Sequence, residues 1–170
     1  TESIQAKGKG EVLSALDSLA MRVRRNLGES LSAVSQQSTP LPRATTSSVE
    51  ALQLYADGVK AGNTGSSDDE LLRQALALDP DFAMAHAELG RRYYVKSEHD
   101  VRLEGEQHFK KALSLLDRLS TRERLWIGAL AEDSRGNRVG AVAAYKAYLA
   151  QYPDDPTAWS RLGWTEMAAL

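Results

Sequence analysis

Histidines stand at 86, 99 and 108, and two of them neighbour carboxylates. Glu104 and His108 are four residues apart, so on a helix they share one face. His99 and Asp100 open the same segment. Nitrogen and oxygen donors of these types are what zinc takes. The spacing matches no tight ligand motif, and an i,i+4 polar pair on a solvated helix accounts for the same residues. The expectation is therefore no metal and no cofactor. The chain has no cysteine, which excludes disulfides and thiolate ligands. It carries no Gly-x-Ser-x-Gly, no His-Glu-x-x-His and no phosphate-binding Walker loop, so nothing in it predicts an enzyme.

With catalysis set aside, arginines and aromatics are the side chains best suited to recognition, and they need a scaffold. The chain has 170 residues, 42% hydrophobic and 26% charged, enough for one domain or a short solenoid. A net charge of −2 argues against nucleic-acid binding, which needs a basic surface. No apolar stretch approaches a membrane span, and residues 1–10 lack the apolar centre of a signal peptide.

Composition divides the chain at residue 44. Residues 36–48, SQQSTPLPRATTS, place Pro40 and Pro42 one residue apart and read as a linker. Before it, Val12, Leu13, Leu16, Leu19, Ala20, Val23 and Leu27 fall on one stripe of a helical wheel, extended by Leu31 and Val34. This predicts an amphipathic helix over 11–35, through Gly28. Its basic run MRVRR gives a membrane-surface alternative, but the stripe has no Trp or Phe, and Asp17 and Glu29 dilute the charge. The prediction is a solvated basic face and no membrane insertion.

After the linker the pattern predicts consecutive helices over 47–61, 68–78, 81–95, 100–118, 121–134, 138–151 and from Pro156 onward. Ser47 or Ser48 caps the first, and Ser120 with Glu123 makes a capping box for the fifth. Asp79-Pro80 and Pro153 act as stops, and Gly136-Asn137 as a turn. The fold class is all-α.

Leu89-Gly90 recurs at Leu162-Gly163, and Pro80 recurs at Pro153, both at the same offset. Leu89, Gly90 and Tyr93, then Gly136, Ala141, Tyr145 and Pro153, then Trp159, Leu162 and Gly163 together resemble the tetratricopeptide repeat. The shared offset equals two such units, each of about 34 residues, with a short insertion. His86 stands where the pattern has Trp, Gly105 where it has Ala, and Asp117 where it has the terminating Pro. The resemblance covers residues 47–170, as units 47–80, 81–119, 120–153 and a partial 154–170. It implies a right-handed superhelical array of antiparallel helix pairs whose first helices line a concave face. The segments LGES, LPRATTSSVEALQLYADG, ALDPDFAMAHAELG, STRERLWI and YPDDP are further similar to such regions in large bacterial signalling proteins. There the array is a sensory or scaffolding part beside kinase, cyclase or winged-helix domains.

That resemblance implies a protein or peptide partner. Carried over residue by residue, it places Lys60, Met84, Arg91, Tyr94, Trp126, Arg161 and Trp164 in the groove, beside Ala87, Thr157 and Ser160. Arg–aromatic pairing suits a peptide, although aromatics at helical spacing also serve as core. Ala87 and Arg91 do not fit the Lys/Asn clamp of chaperone-tail binders. The alternative is self-assembly as a homodimer, because Trp159, Leu162, Trp164 and Met167 make the last helix apolar around much of its girth, unlike a polar terminal cap.

Overall fold

The structure, a computed structural model, describes residues 11–26, 46–63, 69–94, 96 and 98–168. Among them it is helical, with no strand. Contacts divide the chain into two compact units, Thr1–Phe82 and Ala83–Leu170, each with its own packing.

In the first unit, α1 (Val12–Asn26) is an amphipathic helix, and Leu16 and Val23 of the expected stripe are exposed. The remainder of the helix expected to residue 35, and the prolines of the linker, lie outside the described residues. α2 (Val49–Asn63) and α3 (Asp69–Leu78) form an antiparallel pair. Ser48 caps α2 by accepting from the Ala51 N–H at 3.1 Å. The Thr46 hydroxyl donates to Asp79, which ties the entry of α2 to the exit of α3. The two helices approach closely at Gly58, where a Cβ would stand 3.1 Å from Leu72 Cδ2. Ala51, Leu72, Ala75 and Phe82 are fully buried, and the Tyr55 and Phe82 rings meet at 5.0 Å.

The second unit holds α4 (Ala83–Tyr94), α5 (His99–Ser114), α6 (Thr121–Ser134), α7 (Arg138–Gln151) and α8 (Pro156–Met167). α4 pairs with α5, α6 with α7, and α8 lies on α7; α4 also runs beside α6. α5 stops at Ser114, and a 3-10 turn, Leu116–Arg118, completes the stretch expected as helix to 118. That turn lets Leu115 and Leu119 both reach the core, and Ser120 then starts α6 through a complete capping box with Glu123.

Gly136 has φ +75°, a left-handed turn that Gly takes without strain, and Asn137 caps α7 by accepting from the Gly140 N–H. Asp155 caps α8 ahead of Pro156 at its first position.

Two cores hold this unit. Ala83, Ala87, Phe109, Ala112, Ile127 and Leu130 lead the first, and Ala129, Ala141, Tyr145, Tyr148, Ala158 and Leu162 the second. Glycine and alanine keep the backbones close. A Cβ on Gly90 would meet the Phe109 ring at 2.9 Å and the Gly105 carbonyl oxygen at 3.1 Å.

Candidate functional site

The polar side chains of the second unit gather at two places. At the first, α6, α7 and α8 each contribute. Asp133, near the end of α6, accepts from the Tyr145 hydroxyl at 3.3 Å and from Arg138 at 3.2 Å. The Thr165 hydroxyl of α8 stands 3.4 Å from the same carboxylate and 2.8 Å from the Arg161 carbonyl, so its single proton goes mainly to the carbonyl. Burial, and then the Asp133 charge, push the Tyr145 phenol well above its usual range, while Arg161 and Arg91 pull the other way.

Arg91 is engaged on its own helix, where Glu88 accepts from both Arg91 and Arg92. Burial alone would raise the Glu88 carboxyl, but the hydrogen bonds and charges of the two arginines outweigh it and hold the group below the usual carboxylate range. Arg161, by contrast, is in no ion pair among the described residues.

At the second place, Arg122 Nε donates to the Tyr148 hydroxyl at 2.8 Å, and that hydroxyl donates to Asp155 Oδ2 at 2.7 Å. Arg122 Nη2 reaches the same oxygen at 2.8 Å. The other Asp155 oxygen accepts from the Thr157 and Ala158 N–H groups. One carboxylate thus caps α8 and joins it to α6 and α7. Burial raises the Asp155 carboxyl, but the Tyr148 and Arg122 contacts lower it by more. Burial and the Asp155 contact raise the Tyr148 phenol to about 12.

The expected groove residues are only partly brought together. Of them, Trp126 packs edge-on to Tyr145 with ring centroids 6.1 Å apart, and the Arg91 and Arg161 charges both act to lower the Tyr145 phenol. Trp126 also packs 5.3 Å from Tyr148 and touches both cores, which is the packing role open to such an aromatic. Met84 and Tyr94 are half-buried on the first core. Tyr94 also lines an open cleft of about 230 Å³ with His99, Arg102, Leu103 and Glu106. Trp164 is 67% exposed on α8. Lys60 is exposed near the end of α2, in the first unit.

The histidines keep the expected Glu104–His108 neighbours on one helix face and add a contact that the spacing did not predict. His108 Nδ1 lies 2.8 Å from His86 Nδ1, across the α4–α5 pair, and its other nitrogen is 3.8 Å from Glu104. One ring nitrogen of the pair donates and the other accepts, which sets their tautomers against each other. Among the described residues no group of three or more His, Asp or Glu stands in metal-holding geometry. No described helix is long and apolar enough to cross a membrane.

Sequence reasoning missed Glu88, Asp133, Arg122 and Asp155. The available signal was offset: Arg122 and Asp155 are 33 residues apart, and Asp133 and Thr165 are 32 apart, each close to the length of one helix pair. No protein-family model matches this sequence, and no match was found among curated proteins or solved structures.

Proposed function

We propose that this chain is a tetratricopeptide-like interaction module that holds a peptide or an extended protein segment along α4, α6 and α8, in the manner of the sensory and scaffolding regions of bacterial signalling proteins it resembles. The observation that carries this reading is Trp164, 67% exposed on α8 three residues after Arg161, with Trp126 of α6 packed 6.1 Å from Tyr145. Arg161 supplies a guanidinium that no described carboxylate pairs with, and Trp164 supplies exposed aromatic area nearby on the same helix. That combination favours a partner with a carboxylate flanked by an apolar side chain.

Selection from a displayed random-peptide library tests it. Acidic peptides with an apolar neighbour are expected to be enriched. Arg161→Glu combined with Trp164→Ala should weaken the best of them at least about tenfold, the loss of one charge-assisted contact, with the melting temperature held. Equal binding by the double variant would refute the groove.

A further inference from the structure

The Nδ1 atoms of His86 and His108 are 2.8 Å apart, and the two ring centroids are 5.1 Å apart. The second distance is the first plus one ring radius on each side, so the two nitrogens point at each other head-on. A metal ion between them would need roughly 4 Å, two nitrogen–metal bonds of about 2 Å each. What fits the contact is a proton.

The contact also limits how many protons the pair can hold. With both rings neutral, His86 Nδ1 donates to His108 Nδ1, and His108 keeps its own proton on Nε2, the nitrogen 3.8 Å from Glu104. One further proton can enter at His86 Nε2. The contact then joins an imidazolium to a neutral imidazole, a charge-assisted bond stronger than the neutral one. Its proton can pass to His108, where the Glu104 carboxylate supports the charge. A second added proton has only the last lone pair in the contact to occupy. Both Nδ1 atoms would then carry hydrogen, and two cations would face each other with no acceptor between them.

Tyr93 of α4, 2% exposed, stands edge-on to His108 at 5.7 Å. The charged groups that follow His86 along α4, Glu88, Arg91 and Arg92, pair with one another. α6 joins the core it shares with α4 and α5 through the apolar Ile127, Leu130 and Ala131.

We propose that His86 and His108 form an acid-sensitive clasp on the α4–α5 pair, closed on one shared charge near neutral pH and opened by a second proton in mild acid. The clasp does not depend on α4 lining a groove. In the unfolded chain both histidines titrate near about 6.5. In the folded pair the first step lies above that value and the second below it. Between the first step and about 6.5 the folded chain holds one added proton and the unfolded chain none, so stability rises as pH falls. From about 6.5 to the second step the folded chain holds one and the unfolded chain two, so stability falls again. The signature is a stability maximum near pH 6.5, above the range in which Glu88 and Asp155 protonate.

His99→Gln leaves the pair as the two histidines of the chain. In that background, nitrogen–proton NMR of the rings should show them titrating together, in two steps at least about one pH unit apart. Hydrogen exchange in α5, corrected for its intrinsic pH dependence, should speed several-fold between about pH 6.5 and 5 while α7 stays unchanged. His86→Gln keeps a hydrogen-bonding side chain but removes the second charge. It should abolish both the stability maximum and the acid acceleration in α5. His108→Gln should do the same from the other helix, and serves where His86→Gln does not fold. Two rings that titrate independently over one pH range overturn the proposal. So does α5 exchange that ignores acid, or that keeps its acid acceleration in the Gln variants.

Discussion

Gly90→Ala separates close approach from mere helix propensity. The added methyl would lie 2.9 and 3.0 Å from two Phe109 ring carbons and 3.1 Å from the Gly105 carbonyl oxygen. Comfortable carbon contacts lie at about 3.5–4.0 Å, so each is short by roughly half an ångström. Phe109 is 2% exposed and has no room to swing away, so α4 and α5 must separate. Overpacking of this kind costs about 1–3 kcal/mol, against roughly 1 kcal/mol gained by replacing a helical Gly with Ala. The net expectation is a loss of up to about 2 kcal/mol, or up to about 8 °C in melting temperature for a chain of this size. Gly163→Ala meets no neighbour and should gain up to about 1 kcal/mol. Gly105→Ala should lose more than Gly90→Ala, because its closest contacts are backbone atoms, Gly90 O and Tyr94 N, both at 3.0 Å. Urea denaturation followed by circular dichroism gives the order. If Gly90→Ala is as stable as Gly163→Ala, α4 and α5 do not approach as described and the packing argument fails.

Tyr148→Phe removes the hydroxyl that links Arg122 to Asp155 and should destabilise by about 1–2 kcal/mol in the same assay; Asp155→Ala, which also uncaps α8, should cost more. Stability should also depend on pH at both extremes. Glu88 and Asp155 have folded pKa values below their unfolded ones near 4, so their contribution is complete above about pH 5 and lost as pH falls through the folded values. Tyr148, raised to about 12, contributes fully below its unfolded value near 10 and loses that contribution as pH rises toward 12. Glu88→Gln should flatten part of the acid limb in pH-dependent urea midpoints, and Tyr148→Phe the alkaline one; limbs unchanged by either substitution would contradict these assignments.

Helix boundaries were legible where a side chain writes the cap. Ser120 with Glu123, Asn137, and Asp155 before Pro156 place the starts of α6, α7 and α8 at the residues expected from sequence. Where no such residue stands, apolar periodicity ran on too far. Leu115, Leu116 and Leu119 continue the pattern of α5, yet the backbone tightens to a 3-10 turn there. In the first unit Gly58 escaped notice as a contact point of its pair. The chain from Gly58 to its contact Leu72 is shorter than the chain from Gly90 to its contact Phe109, so a fixed template misaligns them.

The polar site was harder for a related reason. Tyr145, Arg91 and Arg161 were readable as residue types on helices, but the Asp133 carboxylate acquires its role only when three helices meet over it. Its partners are distant in sequence and regular in offset. Thr46 and Asp79 in the first unit, and Arg122 and Asp155 in the second, are each 33 apart, and Asp133 and Thr165 are 32 apart. The wheel compares residues three or four apart and the cap looks three residues ahead, so neither can register such pairs. Each offset spans about one helix pair, so the folding of one helix back on the next is what brings the partners together. The His86–His108 pair, 22 apart, marks instead two helices folded back on each other within one pair.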